Sequence, residues 1–241
     1  MKYIALRMVL LCDWMVIKMK LRILLFGTFL IISLFTGLGV FTRQSYTDIR
    51  DTEDYLEHLY VAEIPDNILM EDNLFSSKLS SAPLILRVEI LKDVEHLYGT
   101  SQQLVCVKEV YCGDKIATGD EIYITSTGWR LILDYEIDII ERKFVNIPQV
   151  GHDYLVFLSD EIASFNTVSV YKLYEDIPIA PVFSYSDHPH TIAPTNGEST
   201  YVPYTAVRDN EFFTETEIGY QMLIKLKNNL IQTYPKTVNN N

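Results

Sequence analysis

Cysteine is nearly missing from this chain. Three occur in 241 residues, and only Cys106 and Cys112 lie beyond residue 42, too few for the disulfide framework that holds small secreted domains together. Six residues apart on one extended segment, they would stand about 20 Å from each other, whereas a disulfide needs Cα atoms within about 7 Å. Cys106 therefore reads as a small core residue and Cys112 as a residue near a turn. Positive charge is also short: 20 Lys and Arg face 32 Asp and Glu. Nucleic acid, whose phosphates need a basic surface, is excluded as a partner. There is no Gly-x-Ser-x-Gly elbow, no Gly-rich phosphate loop and no His beside Cys106 or Cys112. The sequence thus assigns no catalytic, cofactor-binding or metal-binding residue, and no cofactor.

Long apolar runs are confined to one place. Residues 23–42, ILLFGTFLIISLFTGLGVFT, carry no charge, with Lys18, Lys20 and Arg22 before them and Arg43 after. A helix of that length is about 30 Å long, the thickness of the hydrocarbon layer of a bilayer, so membrane lipid is its expected partner. Residues 1–42 hold five basic residues against Asp13, a surplus of four, which leaves −16 of the chain's −12 on the remainder. Basic residues flanking a first span stay in the cytoplasm. The expected topology is a cytoplasmic N-terminus (1–22), a single-pass span (23–42) and an extracellular remainder. A cleavable signal peptide competes, but its apolar core runs about 7 to 15 residues and ends in a small-x-small site, and here only Gly37-x-Gly39 offers one. The expectation is an uncleaved signal anchor. Met19-Lys20-Leu21-Arg22 is a complete signal start by itself, so residues 1–18 are expected to be a misassigned start.

Residues 43–80, rich in Asp, Asn and Ser, read as a juxtamembrane tether, with a short helix around 51–62 ended by Pro65. From Pro83 the pattern changes to alternation. Leu84, Leu86, Val88 and Ile90 form one set; after a polar break at 96–103 come 104–111, 121–125, 154–158 and 168–174, with Gly113-Asp114, Gly119-Asp120 and Gly151-His152-Asp153 as turns. Short strands between Gly-Asp turns, in a chain with sixteen Tyr, predict a small antiparallel barrel or sandwich. Residues 182–185 and 200–204, around Thr195-Asn196-Gly197, predict a hairpin or a long ordered loop. Thr214-Glu215-Thr216-Glu217 fits a capping box. Ile218, Met222, Leu226 and Leu230, with Leu223 and Ile231 beside them, then predict an amphipathic helix ending before Pro235, and 235–241 read as a disordered tail.

Val105, Val107, Val110, Gly113, Asp114, Gly119, Asp120, Ile122, Ile124, Gly151, Tyr154, Leu155, Phe157 and Leu158 carry a resemblance. Over residues 82–175 the chain resembles the OB-type β-barrels of netrin-like and TIMP-like modules and of bacterial membrane-anchored surface proteins. The resemblance implies a fold: a mainly β, OB-like barrel with the amphipathic helix behind it, over residues 81–234. TIMP-type inhibition uses an N-terminal cysteine that chelates the target's metal, and no such residue stands at the start of this domain, so inhibition does not carry over.

Two stretches hold candidate chemistry. Asp187-His188-Pro189-His190 offers two imidazoles and a carboxylate, short of the three or four ligands a metal needs, since His58, His96 and His152 follow no ligand spacing; an exposed loop is the plainer reading. Asp134, Glu136 and Asp138 would share one face of a strand about 7 Å apart, within the spacing of hydrolytic carboxylate pairs, or would simply charge an edge strand. Tyr123, Trp129, Tyr135, Phe183 and Tyr185 could line a binding surface or fill the core. The expected function is a binding or protein-interaction module with an extracellular protein or ligand as partner. A surface hydrolase, and an inhibitor or accessory subunit of a membrane complex, are the alternatives.

Overall fold

The computed structural model describes residue 20 and residues 22–40, 55–69, 72–97, 99–133, 136–164, 166–193 and 201–237. It divides into Met1–Glu53 and Asp54–Asn241. In the first unit, α1 (Arg22–Val40) is a 19-residue helix, long and apolar enough to cross a membrane. Its Leu, Ile and Phe side chains face outward all round. Thr28 and Thr36 donate their hydroxyls back to the carbonyls of Leu24 and Ile32, which satisfies them without water.

The second unit is mainly β. A 3-10 turn (Tyr55–His58) leads into β1 (Tyr60–Ala62), α2 (Asp66–Leu69) and α3 (Asp72–Leu79). Then come β2 (Leu84–Ile90), β3 (Glu95–Leu97), β4 (Thr100–Cys112), β5 (Glu121–Ser126), β6 (Arg130–Ile132) and β7 (Ile139–Glu141). β8 (Asp153–Ile162), β9 (Val170–Leu173), β10 (Val182–Ser184), β11 (Tyr201–Pro203), α4 (Tyr204–Val207) and α5 (Glu217–Thr233) follow.

Five strands close a barrel of OB-like size in the order β8-β2-β4-β5-β9, with β9 returning to β8. These are the five stretches that the sequence offers as strands. Every seam is antiparallel except β5–β9, which is parallel. Register shifts in the β2–β4 and β8–β9 pairs supply the bends that closure needs. Leu86, Val88, Ile90, Val105, Val107, Ile124 and Val156 fill the interior. On the outer face Arg87 lies 3.2 Å from Glu109 on β4 and 3.1 Å from Asp153 on β8, tying three strands through one guanidinium. Gly113, at φ 108° after β4, leaves no room for a Cβ against the Leu84 side chain, so the turn demands glycine.

α5 joins the barrel's core through Leu223, Leu226 and Leu230. Its cap lies two residues later than the sequence implies: Thr216 accepts the Gly219 amide and donates to the Asp66 carboxylate at 2.7 Å. Ile218, expected on the apolar stripe, is exposed in the first turn, while Gly219 packs on Asp66 and Lys227 is buried.

The expected tether is corrected by the packing. Leu59, Val61, Ile64, Leu69, Phe75 and Leu79 are all buried in the second unit, so the folded domain begins near residue 55 rather than 81. The polar break at 96–103 is a hairpin, β3 on β4. Of the two readings of 182–204, a hairpin or a long loop, the hairpin does not form: β10 pairs with β8 and β11 with β1, in different sheets. Pro235, Lys236 and Thr237, expected in a disordered tail, dock on Tyr111, Asp153 and Glu109. Residues 1–18, 41–54 and 238–241 lie outside the described residues.

Candidate functional site

A second sheet, in the order β11-β1-β7-β6, floors a hollow. β1 pairs antiparallel with β11 and parallel with β7, and β7 pairs antiparallel with β6. Successive side chains on a strand point to opposite faces. Val61, Val202 and Ile140, with Leu131, therefore share one face and bury it in a second core with Leu59, Tyr204 and Phe213. The other face carries Ala62 opposite Tyr201, Ile139 opposite Ile132, and Arg130 opposite Glu141.

A half-covered sheet ordinarily turns polar residues to water. This one turns tyrosine, isoleucine and alanine instead. Ala62, Ile132, Ile139 and Tyr201, with Pro178 and Phe213, line a cleft of about 410 Å³, a size that takes a small ligand or a few side chains. Tyr60 and Tyr201 are each 36% exposed.

Charges border the cleft already paired. Arg130 Nε meets Glu141 at 2.5 Å, and Lys143 Nζ meets Glu175 at 3.4 Å. Burial works against ionising Glu175, yet hydrogen bonds from Lys172, Thr127 and Ser126 hold it down to about 2. The cleft wall also contains Lys143 and Phe144, at φ 49° and 63°. Two consecutive non-glycine residues in the left-handed region are strained. They are fixed by hydrogen bonds from Ala180 to the Lys143 carbonyl (3.0 Å) and from Phe213 to the Phe144 carbonyl (2.9 Å).

Arg142, also at the cleft, turns inward. Its three guanidinium nitrogens are sealed from solvent and have no hydrogen-bond acceptor, and the group lies 3.7 Å over the Trp129 ring. Burial pushes it down to about 9, and the neighbouring Tyr204, Tyr154 and Tyr55 hydroxyls pull it back up. A cation over indole in a dry setting is favourable, so the aromatic face does part of what a carboxylate would do.

The sequence-derived candidates are dispersed. Asp187 and His188 line a smaller pocket of about 140 Å³ with Glu211, Tyr220 and Lys227, and His190 stacks on Tyr220 at 3.5 Å. The acidic row is not on a strand: Glu136 and Asp138 precede β7, away from that pocket's lining, and Asp134 lies outside the described residues. Trp129 and Phe183 are fully buried, Tyr123 and Tyr185 half-buried, and Tyr135 is not described. Cys106, expected in the core, is half-buried on the face opposite Val105 and Val107; it and exposed Cys112 are free thiols. Among the described residues no group of three His, Cys, Asp or Glu is arranged to hold a metal ion.

The cleft itself was not legible in the sequence, because its floor comes from four three-residue strands scattered from residue 60 to residue 203. The one available signal is the Arg130-Leu-Ile and Ile139-Ile-Glu pair of short runs. No protein-family model matches the chain, and no curated protein matches it.

Proposed function

We propose that this protein is a single-pass, membrane-anchored binding module, whose extracellular β-domain holds an apolar segment of a partner protein against the open face of the β11-β1-β7-β6 sheet. The observation that carries this reading is that face: tyrosine and isoleucine stand where solvent-facing polar residues belong, over a cleft of about 410 Å³. Apolar, aromatic-bearing hollows with a paired polar rim are the anatomy of a recognition surface. The rim charges neutralise one another, so the cleft selects by shape and apolar contact. The −16 of residues 43–241 repels anionic partners. α1 and the basic residues before it support the anchor and its orientation.

The test is photo-crosslinking of the full-length protein in its own membranes, comparing wild type with Tyr201→Ala and Ile139→Asp. Both positions are at least partly exposed, so the melting transition should stay close to that of the wild type. Loss of an aromatic anchor costs about 2 kcal/mol of binding, a roughly thirtyfold drop in affinity, so the crosslinked partner should disappear from both variants. An unchanged partner at unchanged yield would remove the cleft from the account.

A further inference from the structure

We propose that Asp187–His190 is a proton-operated lid: closed on α5 at neutral pH, and released in mild acid to open the pocket that holds the buried Glu211–Lys227 pair.

The segment is fastened firmly on either side. Before it, Tyr185 donates its amide to the Asp153 carbonyl, and the Ser186 carbonyl accepts Lys227 Nζ at 2.8 Å. After it, Thr191 and Asn210 exchange two hydrogen bonds, of 2.8 and 2.7 Å. Between these fastenings, the backbone of residues 187–190 makes no hydrogen bond to any described residue. What holds it down is ring packing. His190 lies flat on Tyr220, with an interplanar angle of 3°, and His188 packs into the pocket wall beside Lys227.

Neither ring is placed to carry a proton. His188 Nε2 and both nitrogens of His190 are buried without a hydrogen-bond partner, and an imidazolium has two N–H donors that must each find an acceptor. The groups facing His188 make matters worse. Lys227, reaching from α5, and His152, from the turn before β8, both oppose a positive charge there, while Asp187 in the segment itself favours one; burial is the largest influence, and the ring titrates below its usual range. The Glu211 oxygens accept from the Ser184 amide and from Lys227, not from His188. His190 faces Tyr220 and Glu217 of α5; burial lowers it and Glu217 resists. His188 is therefore the trigger and His190 the latch that follows.

The linkage has one sign. A group that binds protons more weakly in the closed state must, on binding one, favour the open state. Acid releases the lid. What it uncovers is a hollow of about 140 Å³ lined by a carboxylate, an ammonium, a phenol and the Asn228 amide, a lining that suits a small polar molecule.

The experiment is hydrogen–deuterium exchange of the full-length protein in detergent micelles at pH 7.5 and 5.5, corrected for the intrinsic pH dependence of exchange. Peptides spanning 185–193 should exchange about fivefold faster or more at pH 5.5, the lower end of ordinary coupling strengths, while peptides of β4 stay unchanged. His188→Gln, which cannot take up the proton, should abolish the acid response; His188→Asn is a second neutral replacement should the first fail to fold. No acceleration in the wild type, or the same acceleration in the neutral variants, would overturn the proposal.

Discussion

Replacing Lys227 with methionine should cost the domain about 3–5 kcal/mol, the usual penalty for leaving one member of a buried ion pair uncompensated. Both partners are only 4% exposed, and Lys227 Nζ sits 2.5 Å from Glu211 Oε2. Burial raises Glu211 above the ordinary carboxyl range, with Lys227 and the Ser184 amide pulling it back. Without the ammonium, only the amide opposes that desolvation. The carboxylate must then stay charged at high cost or take up a proton, so the loss of stability should be larger at pH 8 than at pH 5. Adding Glu211→Gln removes the charge and keeps an acceptor for Ser184, and should recover a large part of the loss. Urea unfolding of the three proteins checks this. A Lys227→Met cost below about 1 kcal/mol, the range of exposed ion pairs, would mean that the pair is solvated.

Glu63→Gln should do the reverse and stabilise the domain. The Glu63 side chain is 2% exposed, and neither carboxylate oxygen has a hydrogen-bond partner. Burial, with Glu215 nearby, pushes it up from 4.5 to about 7. A carboxyl raised in the folded state contributes its full stability below the unfolded value and loses it as pH climbs through the folded one. The wild type should therefore weaken between about pH 4.5 and pH 7, by about 3 kcal/mol in all. Glutamine resembles the protonated acid and does not titrate, so the variant's stability should stay flat across that window and exceed the wild type's at pH 8. Thermal melts at pH 4.5 and pH 8 show the difference directly; parallel curves for the two proteins would mean that Glu63 is solvated or paired.

These two positions also show what a sequence conceals. The barrel was legible because period-2 alternation in 84–90, 104–111 and 121–125 and the apolar run at 154–158 are local signals, and glycine–aspartate turns separate the runs. The parallel β5–β9 seam was not, because pairing partners 47 residues apart leave no local trace. α5 was legible as a helix, yet its cap lies at Thr216 rather than Thr214, and its buried side runs through Gly219, Leu223 and Lys227 and leaves Ile218 in solvent. Lys227 stood beside Leu223, Leu226 and Leu230 in the sequence, a cation within an apolar stripe. That was a visible anomaly, but its partner Glu211 lies outside the helix, brought to it only by the fold. Glu63 and Arg142 were invisible for the same reason: a short stretch that resembles a polar connector becomes interior only when sheets from distant segments close over it. The Asp187–His190 cluster was noticed for its chemistry. Its placement on α5, rather than around a metal, needed the structure.

The proposed topology puts this domain on the far side of a membrane, and Cys112 offers a direct reading of it. The thiol is free and exposed on the domain, whereas Cys12 lies on the opposite side of α1 in the sequence. In a Cys106→Ser background, a membrane-impermeant maleimide applied to intact cells should label the full-length protein, the label should vanish when Cys112→Ser is added, and the labelled chain should remain in the membrane pellet after alkaline carbonate washing. Labelling at Cys112 only after the cells are permeabilised would place the β-domain in the cytoplasm and contradict the account.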